Sequence, residues 1–202
     1  MRDGIGTVLD SSADEARLRS LYRRLAVSGL PVNLYSARAH MQRTAAALLH
    51  GIRQASGSWE ELDGRQFADD VRGDRMALFL AGTVGGVAST QAEGRGLLSA
   101  AGSGTLLLTH VEKLAPAAQR VLSSILETGR YTPVGDPYPR SIVCRLIVAT
   151  HQPLMMMAYN QAVEWKLAEA LGRVALRAEK LIDAFEAENF YGTHPSTLAA
   201  AS

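Results

Sequence analysis

Residues 104–114 read GTLLLTHVEKL, and this stretch decides the fold. The run from Thr105 to Thr109 follows a glycine and precedes polar residues, which predicts a short strand buried on both faces. Downstream, Pro116 to Glu127 has apolar residues at helical spacing and is followed by Gly129, which predicts an amphipathic helix with a glycine C-cap. A buried strand followed by such a helix is typical of a parallel α/β sheet.

The rest of the chain also alternates between strand and helix patterns. Residues 57–73 are polar and hard to assign, and residues 81–96 are rich in glycine and predict a loop. We predict an open parallel sheet flanked by helices, with its ligand site at the carboxyl ends of the strands. The predicted strands are Val32 to Tyr35 and Ile142 to Thr150, with a hairpin of Arg130 to Val134 and Pro139 to Ile142; the predicted helices are Ser12 to Ser28, Ala39 to Ile52, Arg75 to Leu80 and Val163 to Glu188.

The composition limits the function classes. The 202 residues are 47% hydrophobic and 20% charged with a net charge of +1, so no strong field for DNA or anionic lipid is expected. Cys144 is the single cysteine, which excludes an intrachain disulfide and a cysteine-based zinc cluster. The N-terminus is charged and the apolar runs are short, so we expect a cytoplasmic protein with no membrane partner.

Four segments, in order along the chain, match the motifs of one known family. Residues 104–114 resemble its GTLFLDEIGEL, residues 117–135 its LQ-LLRVLQEGEF-RVG helix and hairpin, residues 145–151 its RVIAATN strand, and residues 31–34 its PVLI strand. The chain therefore resembles the sigma-54 interaction domain, the AAA+ ATPase core of bacterial enhancer-binding transcriptional activators, over roughly Ser12 to Leu176. This resemblance implies an α/β, Rossmann-like AAA+ fold of the P-loop NTPase type, with a three-layer core around a parallel sheet.

The family's phosphate-binding loop is altered in this chain. A loop of the form GxxxxGK[ST] needs glycines so that backbone N–H groups face the phosphates, and its Lys bridges the β- and γ-phosphates. The corresponding residues 36–43 read SARAHMQR, with Ser36 and Met41 at the glycine positions and Gln42 at the Lys position. Because left-handed backbone is costly without glycine, we expect an ordinary turn or an early helix start here.

The other ATPase positions differ as well. The Asp and Glu that hold Mg²⁺ and activate water in the family correspond to Thr109 and His110, and its sensor Asn corresponds to His151. The family's FREDLYYRLN has arginines where this chain has Glu164 and Ala170. The resemblance therefore implies a degenerate pseudo-ATPase with no catalytic residues, no cofactor and no expected ATP binding.

The vacated nucleotide cleft leaves two questions open. Arg38 and Arg43 flank it and could hold an anion, although arginines are more commonly solvated on the surface. His40, His110 and His151 map to places that converge in the family fold, so a zinc site is geometrically conceivable, but polar residues filling an empty cleft also explain them. The candidate cleft residues are Ser36, Arg38, His40, Gln42, Arg43, Thr109, His110 and His151.

The family's partner-binding parts are also altered. Residues 82–88 only faintly resemble the polymerase-contacting GAFTGA loop and lack its aromatic residue. Beyond Leu176 we expect the helical lid to be largely absent, and no basic helix-turn-helix is apparent, so direct DNA binding is not expected. We predict one degenerate AAA+ domain over residues 1–176, a helical extension over residues 177–194 and a flexible tail over residues 195–202.

Two apolar features indicate a partner surface or core packing. Met155 to Met157 could form an adaptable surface, or one or two of them could pack into the core. A second feature is an apolar series with heptad spacing, which predicts either a packing helix or a projecting dimer helix. Its members are Leu167, Leu171, Val174, Ala178, Leu181 and Phe185.

Together these features predict a non-hydrolysing regulatory or assembly domain that modulates transcription through protein association. The expected partner is a second copy, in a dimer or ring, or an active AAA+ transcriptional activator. One alternative is a sensor that binds a nucleotide or another anion in the vacated cleft. A further alternative is residual ATPase activity.

Overall fold

A parallel five-stranded sheet forms the centre of the fold. The computed structural model describes residue 17 and residues 20–25, 27–52, 57–84 and 94–191, with side chains to residue 185. The strands are β1 (Val32–Tyr35), β2 (Trp59–Asp63), β3 (Thr105–Thr109), β4 (Arg130–Tyr131), β5 (Arg140–Ser141), β6 (Arg145–Thr150) and β7 (Ala175–Arg177). The helices are α1 (Ala39–Ile52), α2 (Asp74–Ala81), α3 (Leu97–Ala101), α4 (Pro116–Thr128), α5 (Leu154–Tyr159), α6 (Trp165–Gly172) and α7 (Ala178–Tyr191), with 3-10 turns at Gly64–Phe67 and Val111–Lys113.

The strand order in the sheet is β2-β3-β6-β1-β7, and every pair is parallel. β1 lies between β6 and β7, with Leu34 opposite Ala149 on one side and Leu176 on the other. All residues of β3 and β6 are buried, as expected for central strands covered on both faces. β4 and β5 pair separately as the short antiparallel hairpin that the sequence predicts.

Helices cover both faces of the sheet and give two apolar cores. Side chains alternate along a strand, so Leu106 and Leu108 of β3 face one core and Leu107 faces the other. The first core also receives residues of α2 to α6, and the second receives residues of α1 and α7 together with Tyr22. The predicted three-layer α/β architecture is therefore confirmed.

The strand β2 and the short helices α3 and α5 were not predicted, because their own residues do not show a clear apolar pattern. β2 reads WEELD, and only Leu62 of it is fully buried, because the strand lies at the edge of the sheet. Its backbone still pairs with β3 along its whole length, from Trp59 opposite Thr105 to Asp63 opposite Thr109. The short helices α3 and α5 were also not predicted, since five or six residues carry too little periodicity to be recognised.

The helix predicted over Val163 to Glu188 is wrong as a single element. The chain forms α6, then the strand β7, then α7, because residues 175–177 pair with β1. Leu167 and Leu171 therefore belong to the first core, whereas Leu181 and Phe185 belong to the second, on the opposite face of the sheet. The heptad series is not one seam, and α7 packs against α1 instead of projecting.

Replacing Leu181 with Ala tests this placement of α7. Leu181 is fully buried, so Leu181→Ala should lower the free energy of unfolding by about 2–5 kcal/mol, measured by urea denaturation. Leu21→Ala is the matched control, because Leu21 is 48% exposed and should change stability little. Equal small losses for both variants would contradict the packing of α7 into the second core.

The start of α2 depends on one buried carboxylate. Asp70 is buried, and its Oδ1 accepts a hydrogen bond from the Gly73 N–H at 3.0 Å. Its Oδ2 accepts from the Met76 N–H at 2.8 Å, which satisfies an amide that has no partner within the first turn of the helix. Asp70 thus fixes the path by which the chain leaves the 3-10 turn at Gly64–Phe67 and enters α2.

We predict that Asp70→Ala lowers the free energy of unfolding by about 1–3 kcal/mol, because the buried Met76 amide loses its acceptor, whereas the Gly73 amide keeps its bond to the backbone carbonyl of residue 70. Asp74→Ala serves as the control, since Asp74 is exposed in the first turn of α2. Chemical denaturation of both variants measures the difference, and a loss in Asp74→Ala as large as that in Asp70→Ala would show that the buried cap is not the cause.

Close backbone contacts hold the two ends of the glycine-rich segment together. Thr83 N–H donates to the Gly94 carbonyl at 3.2 Å, and a Cβ on Gly96 would lie 2.5 Å from the carbonyl carbon of Ala81. Val84 N–H also donates to the Val134 carbonyl of the hairpin region at 2.9 Å. Residues 85–88 of the segment compared with the GAFTGA loop lie outside the described residues, as does the predicted tail at 195–202.

No helix in the described part of the chain is long and apolar enough to cross a bilayer. This agrees with the short apolar runs of the sequence.

Candidate functional site

A small cleft lies at the carboxyl ends of β1, β3 and β6, where the sequence predicts the ligand site. Its volume is about 180 Å³, room for roughly six water molecules. The loop after β1 and the start of α1 form one wall, and the residues after β3 and β6 form the others. The lining residues are Ser36, Ala37, Ala39, Gln42, His110, Glu112, Ala149, Thr150 and His151.

The loop between β1 and α1 has only three residues, Ser36 to Arg38, because α1 begins at Ala39. None of the three has a positive φ angle; among the described residues other than glycine, positive φ occurs only at His110 and Gln161. The Arg38 N–H donates to the side-chain oxygen of Ser36 at 3.0 Å. The expected early helix start is therefore observed, and at least this amide points to a protein oxygen.

Gln42 closes the cleft from the side of α1. Its Nε2 donates to the Ser36 carbonyl at 2.7 Å and to the Thr150 carbonyl at 2.8 Å. One amide nitrogen thus joins the loop after β1 to the end of β6. Both donor hydrogens of the amide are used in these two bonds.

Glu179, at the start of α7, completes the closure. The Ser36 hydroxyl donates to Glu179 Oε1 at 2.6 Å, and Arg38 Nη2 lies 3.5 Å from the same oxygen. The hydrogen bond from Ser36 is the main reason that the pKa of the Glu179 carboxyl lies below its usual value. Glu179 was not among the predicted cleft residues, because its approach to Ser36 depends on the unpredicted strand β7.

The two arginines proposed from the sequence do not line the cleft. Arg38 pairs with Glu179, and Arg43 pairs with Glu61 of β2. Both arginine side chains are more than half exposed. This favours the interpretation that they are surface residues over the hypothesis that they hold an anion in the cleft.

Thr109 and His110, which the resemblance aligns with the family's metal-binding positions, both lie next to polar groups of β2. The Thr109 hydroxyl is buried and donates to the Leu62 carbonyl at 3.5 Å. His110 has a left-handed backbone with φ of 50°, and its Nδ1 lies 3.1 Å from Asp63 Oδ1. The Arg65 guanidinium donates to Asp63, and this hydrogen bond is the main reason that the pKa of Asp63 falls to about 2.

The three histidines proposed as zinc ligands do not line one site. His110 and His151 line the cleft, whereas His40 lies exposed on α1. Within the described ranges, no three His, Cys, Asp or Glu side chains are grouped as metal ligands would be. The prediction that the three histidines converge is therefore wrong for His40. Because α1 begins at Ala39, His40 lies on the helix and outside the cleft lining.

Asn33 supports the cleft from beneath and was missed by the sequence. This residue of β1 is fully buried, and its Nδ2 donates to Thr150 Oγ1 at 2.7 Å. Its Oδ1 accepts from the Leu154 N–H at 3.0 Å, at the start of α5. The signal available in the sequence was a polar residue inside the apolar run PVNLY, which must be hydrogen-bonded if that run is buried.

The positions of the family's trans-acting arginines lie on or beside α6. Glu164 precedes the helix and pairs with Arg120 of α4 at 3.0 Å, while Ala170 lines a separate groove between α4 and α6. Of the three methionines, Met157 is buried and packs into the first core. Met155 and Met156 are 37% and 55% exposed, so the interpretation that one or two of the three methionines pack into the core is confirmed by Met157.

Comparison with known proteins places this geometry in a family. The family model of the sigma-54 interaction domain matches residues 76–176. The transcriptional regulatory protein DagR from Salmonella typhimurium (strain 14028s / SGSC 2262) is 47% identical over 60 residues, which are 29% of this chain and 6% of DagR. This chain therefore spans only a small part of that relative.

Two solved structures have a similar fold. NtrX from Brucella abortus in complex with ATP has a TM-score of 0.61 at 20% identity, covering 88% of this chain and 39% of the NtrX chain. The P-loop NTPase domain of the sigma-54 transport activator from E. coli has a TM-score of 0.53 at 20% identity, covering 82% of this chain and 94% of that domain. These similarities confirm the predicted P-loop AAA+ fold.

The matched segment, residues 76–176, runs from α2 to β7 and is half of the 202 residues. It contains β3, α4, the hairpin and β6, whose sequences carry the resemblance. The chain belongs to the sigma-54 interaction domain family.

Proposed function

We propose that this domain does not hydrolyse ATP and modulates transcription by associating with another AAA+ subunit. The chain is a sigma-54 activator-like AAA+ domain related to transcriptional regulators and to the ATPase domains of activators. Because it spans a small part of DagR and 39% of the NtrX chain, the activity of the whole protein is part of the proposal.

The observation that carries the proposal is the bridge made by Gln42. Phosphate binding needs backbone amides that face the ligand and a cation at the Lys position. Here Gln42 donates to the carbonyls of Ser36 and Thr150, and the Ser36 hydroxyl donates to Glu179. The loop is thus held shut by bonds within the protein, and a phosphate would have to break them.

The acidic motif supports the same conclusion. A Mg²⁺-dependent mechanism needs a carboxylate at the end of β3 and a second group to activate water. Thr109 supplies a buried hydroxyl that donates to Leu62, and His110 faces Asp63. Asp63 is itself bonded to Arg65 by several hydrogen bonds, so it is a poor substitute for a free metal ligand.

The alternative of a nucleotide or anion sensor gains no support from the contacts. Arg38 and Arg43, the cations on which it depended, are paired with Glu179 and Glu61. The cleft of about 180 Å³ is also smaller than the roughly 300 Å³ at which pockets for drug-sized ligands begin.

Exposed apolar residues on α5 and α6 support association. Met155, Met156 and Tyr159 of α5 and Trp165 of α6 leave 37%, 55%, 80% and 52% of their area in solvent, and the two helices pack together. Aromatic residues and Met are enriched at protein interfaces. We call these four residues the α5–α6 surface and propose that it contacts a second AAA+ subunit.

We predict that neither MgATP nor MgADP raises the melting temperature. A ligand at one hundred times its Kd stabilises a protein by about 2.7 kcal/mol, which for this chain length corresponds to roughly 5–11 °C. Differential scanning fluorimetry and a phosphate-release assay measure binding and hydrolysis. Gln42→Lys should not restore hydrolysis, because the acidic positions are still Thr109 and His110.

Nucleotide-dependent phosphate release above background by the wild-type chain, abolished by Thr109→Ala or His110→Ala, would instead establish residual ATPase activity. A large thermal shift with ADP and no hydrolysis would support the nucleotide sensor.

We also predict that Tyr159→Glu weakens association by at least tenfold, because a charge in the centre of an apolar interface is costly to desolvate. Size-exclusion chromatography with light scattering tests the chain alone, and biolayer interferometry tests it against an active sigma-54 activator AAA+ domain. Tyr138→Glu is the matched control, since Tyr138 is 76% exposed on the hairpin. Association that is unaffected by Tyr159→Glu would exclude the α5–α6 surface.

A further inference from the structure

A groove separate from the cleft lies between α4 and α6. Leu30 and Pro31, which directly precede β1, line it, so the groove lies near the amino end of β1, whereas the cleft lies at the carboxyl end. Its volume is about 540 Å³. We call it the α4–α6 groove, and its lining residues are Leu30, Pro31, Leu126, Glu127, Lys166, Glu169, Ala170, Arg173 and Val174.

The α4–α6 groove exposes apolar area. Leu126 packs against the first core and Val174 against the second, and both are only partly buried. Leu30, which lines the same groove, leaves 52% of its area in solvent, and Val27 of the preceding segment leaves 64%. Exposed apolar area that is rimmed by polar residues is typical of a protein-binding surface.

One face of α6 forms the charged rim of the groove. Lys166, Glu169, Ala170 and Arg173 are spaced i, i+3, i+4 and i+7, which puts them on a single side of the helix. Arg173 keeps a helical backbone, with φ of −59° and ψ of −34°. Trp165 precedes Glu169 by four residues and therefore lies at the margin of this face. The groove thus meets the α5–α6 surface at Trp165.

The charges around the groove balance. Glu127 and Glu169 are acidic, Lys166 and Arg173 are basic, and all four residues are exposed. Lys166 Nζ lies 3.9 Å from Glu127 Oε1, whereas Glu169 and Arg173 form no ion pair within the part of the chain that the structure describes. A strongly acidic or strongly basic partner would meet like charge in this groove. A second copy of the chain brings the same balance of charge.

The order of the charges along α6 selects one orientation of that copy. Lys166, Glu169 and Arg173 follow one another as basic, acidic and basic. In a parallel pair of α6 helices each residue meets its own counterpart, so Glu169 faces Glu169. In an antiparallel pair centred between Glu169 and Ala170, each Glu169 lies between Lys166 and Arg173 of the second copy. The small side chain of Ala170 at the centre lets the two helices approach closely.

The same arrangement brings Lys166 near Arg173 of the second copy, and each of these cations has an acidic neighbour. Glu127 lies beside Lys166, and Glu169 precedes Arg173 by one helical turn. At the ends of the pair, Trp165 lies opposite Val174 of the second copy. The indole thereby reaches the apolar part of the groove.

We propose that a second copy of this chain binds the α4–α6 groove across a twofold axis, with the α6 helices antiparallel and Trp165 of each copy in the groove of the other. This contact rests on the proposed function, because it shares Trp165 with the α5–α6 surface, and it names a second copy as the partner. One short helix and a groove make a small interface, so we expect a Kd of about 10–100 µM.

Sedimentation velocity of the full chain between about 5 and 300 µM measures this dimer. Glu169→Arg places a third cation between Lys166 and Arg173 of the second copy, so it should weaken the dimer by at least tenfold. Asp183→Arg is the matched control, because Asp183 lies exposed on α7, outside the groove lining, and its reversal should leave the Kd unchanged.

A charge-reversed variant separates ion pairing from misfolding. It carries four substitutions at exposed positions, Glu127→Lys, Lys166→Glu, Glu169→Arg and Arg173→Glu. Because the reversed pattern again complements itself, we expect this variant to dimerise with a Kd within about threefold of the wild-type value. It should not bind the wild-type chain, since every acid then meets an acid; fluorescence anisotropy of labelled wild-type chain measures this.

The proposal is overturned if the wild-type chain stays monomeric up to about 300 µM, or if Glu169→Arg leaves its Kd unchanged. Binding of the charge-reversed variant to the wild-type chain as tightly as to itself overturns it too.

The proposed function fails by a different result, because Tyr159 does not line the groove. If Tyr159→Glu leaves every association unchanged while Glu169→Arg breaks the dimer, the α5–α6 surface is excluded and the groove contact stands. If Tyr159→Glu weakens binding to an activator AAA+ domain and Glu169→Arg affects no association, the α5–α6 surface stands and the groove contact is overturned.

Discussion

The hydrogen bonds of the buried Asn33 side chain hold together the part of the fold on which the cleft depends. From the middle of β1, Asn33 donates to Thr150 Oγ1 at the end of β6 and accepts from the Leu154 N–H at the start of α5. The Thr150 hydroxyl in turn donates to the Gln152 carbonyl at 2.6 Å. β1, β6 and the turn into α5 therefore keep one relative position, and this position sets the distance between the two walls of the cleft.

Hydrogen bonds of three side chains hold the loop after β1 in place. Ser36 follows β1, Gln42 lies on α1, and Glu179 lies on α7. Gln42 donates to two carbonyls, and Glu179 accepts a hydrogen bond from Ser36. Because the bonds are short and partly buried, they stabilise the closed loop more than solvent-exposed bonds of the same kind would.

Much of the fold follows from the sequence, because long buried elements have a strong pattern of their own. β1, α1 and β3 were predicted with the observed bounds, and α4 within one residue of its end. The elements that were missed or merged depend on distant pairing instead. β2 is acidic and is a strand because β3 lies beside it, and β7 interrupts an apparently continuous helix because β1 offers a free edge.

For the candidate site, too, some features follow from the sequence and others only from the tertiary structure. By itself the sequence determined that residues 36–43 lack glycine and Lys. The resemblance to the family aligned Thr109, His110 and His151 with its acidic and sensor positions. The tertiary structure alone decided where the remaining charges lie. It placed His40 outside the cleft lining, paired Arg38 and Arg43 with carboxylates from α7 and β2, and brought Glu112 into the cleft. The reason is physical: residue type and local spacing determine which groups a segment carries, whereas the partners of a charged group come from segments far away in the chain, and only the packed sheet brings them within hydrogen-bonding distance.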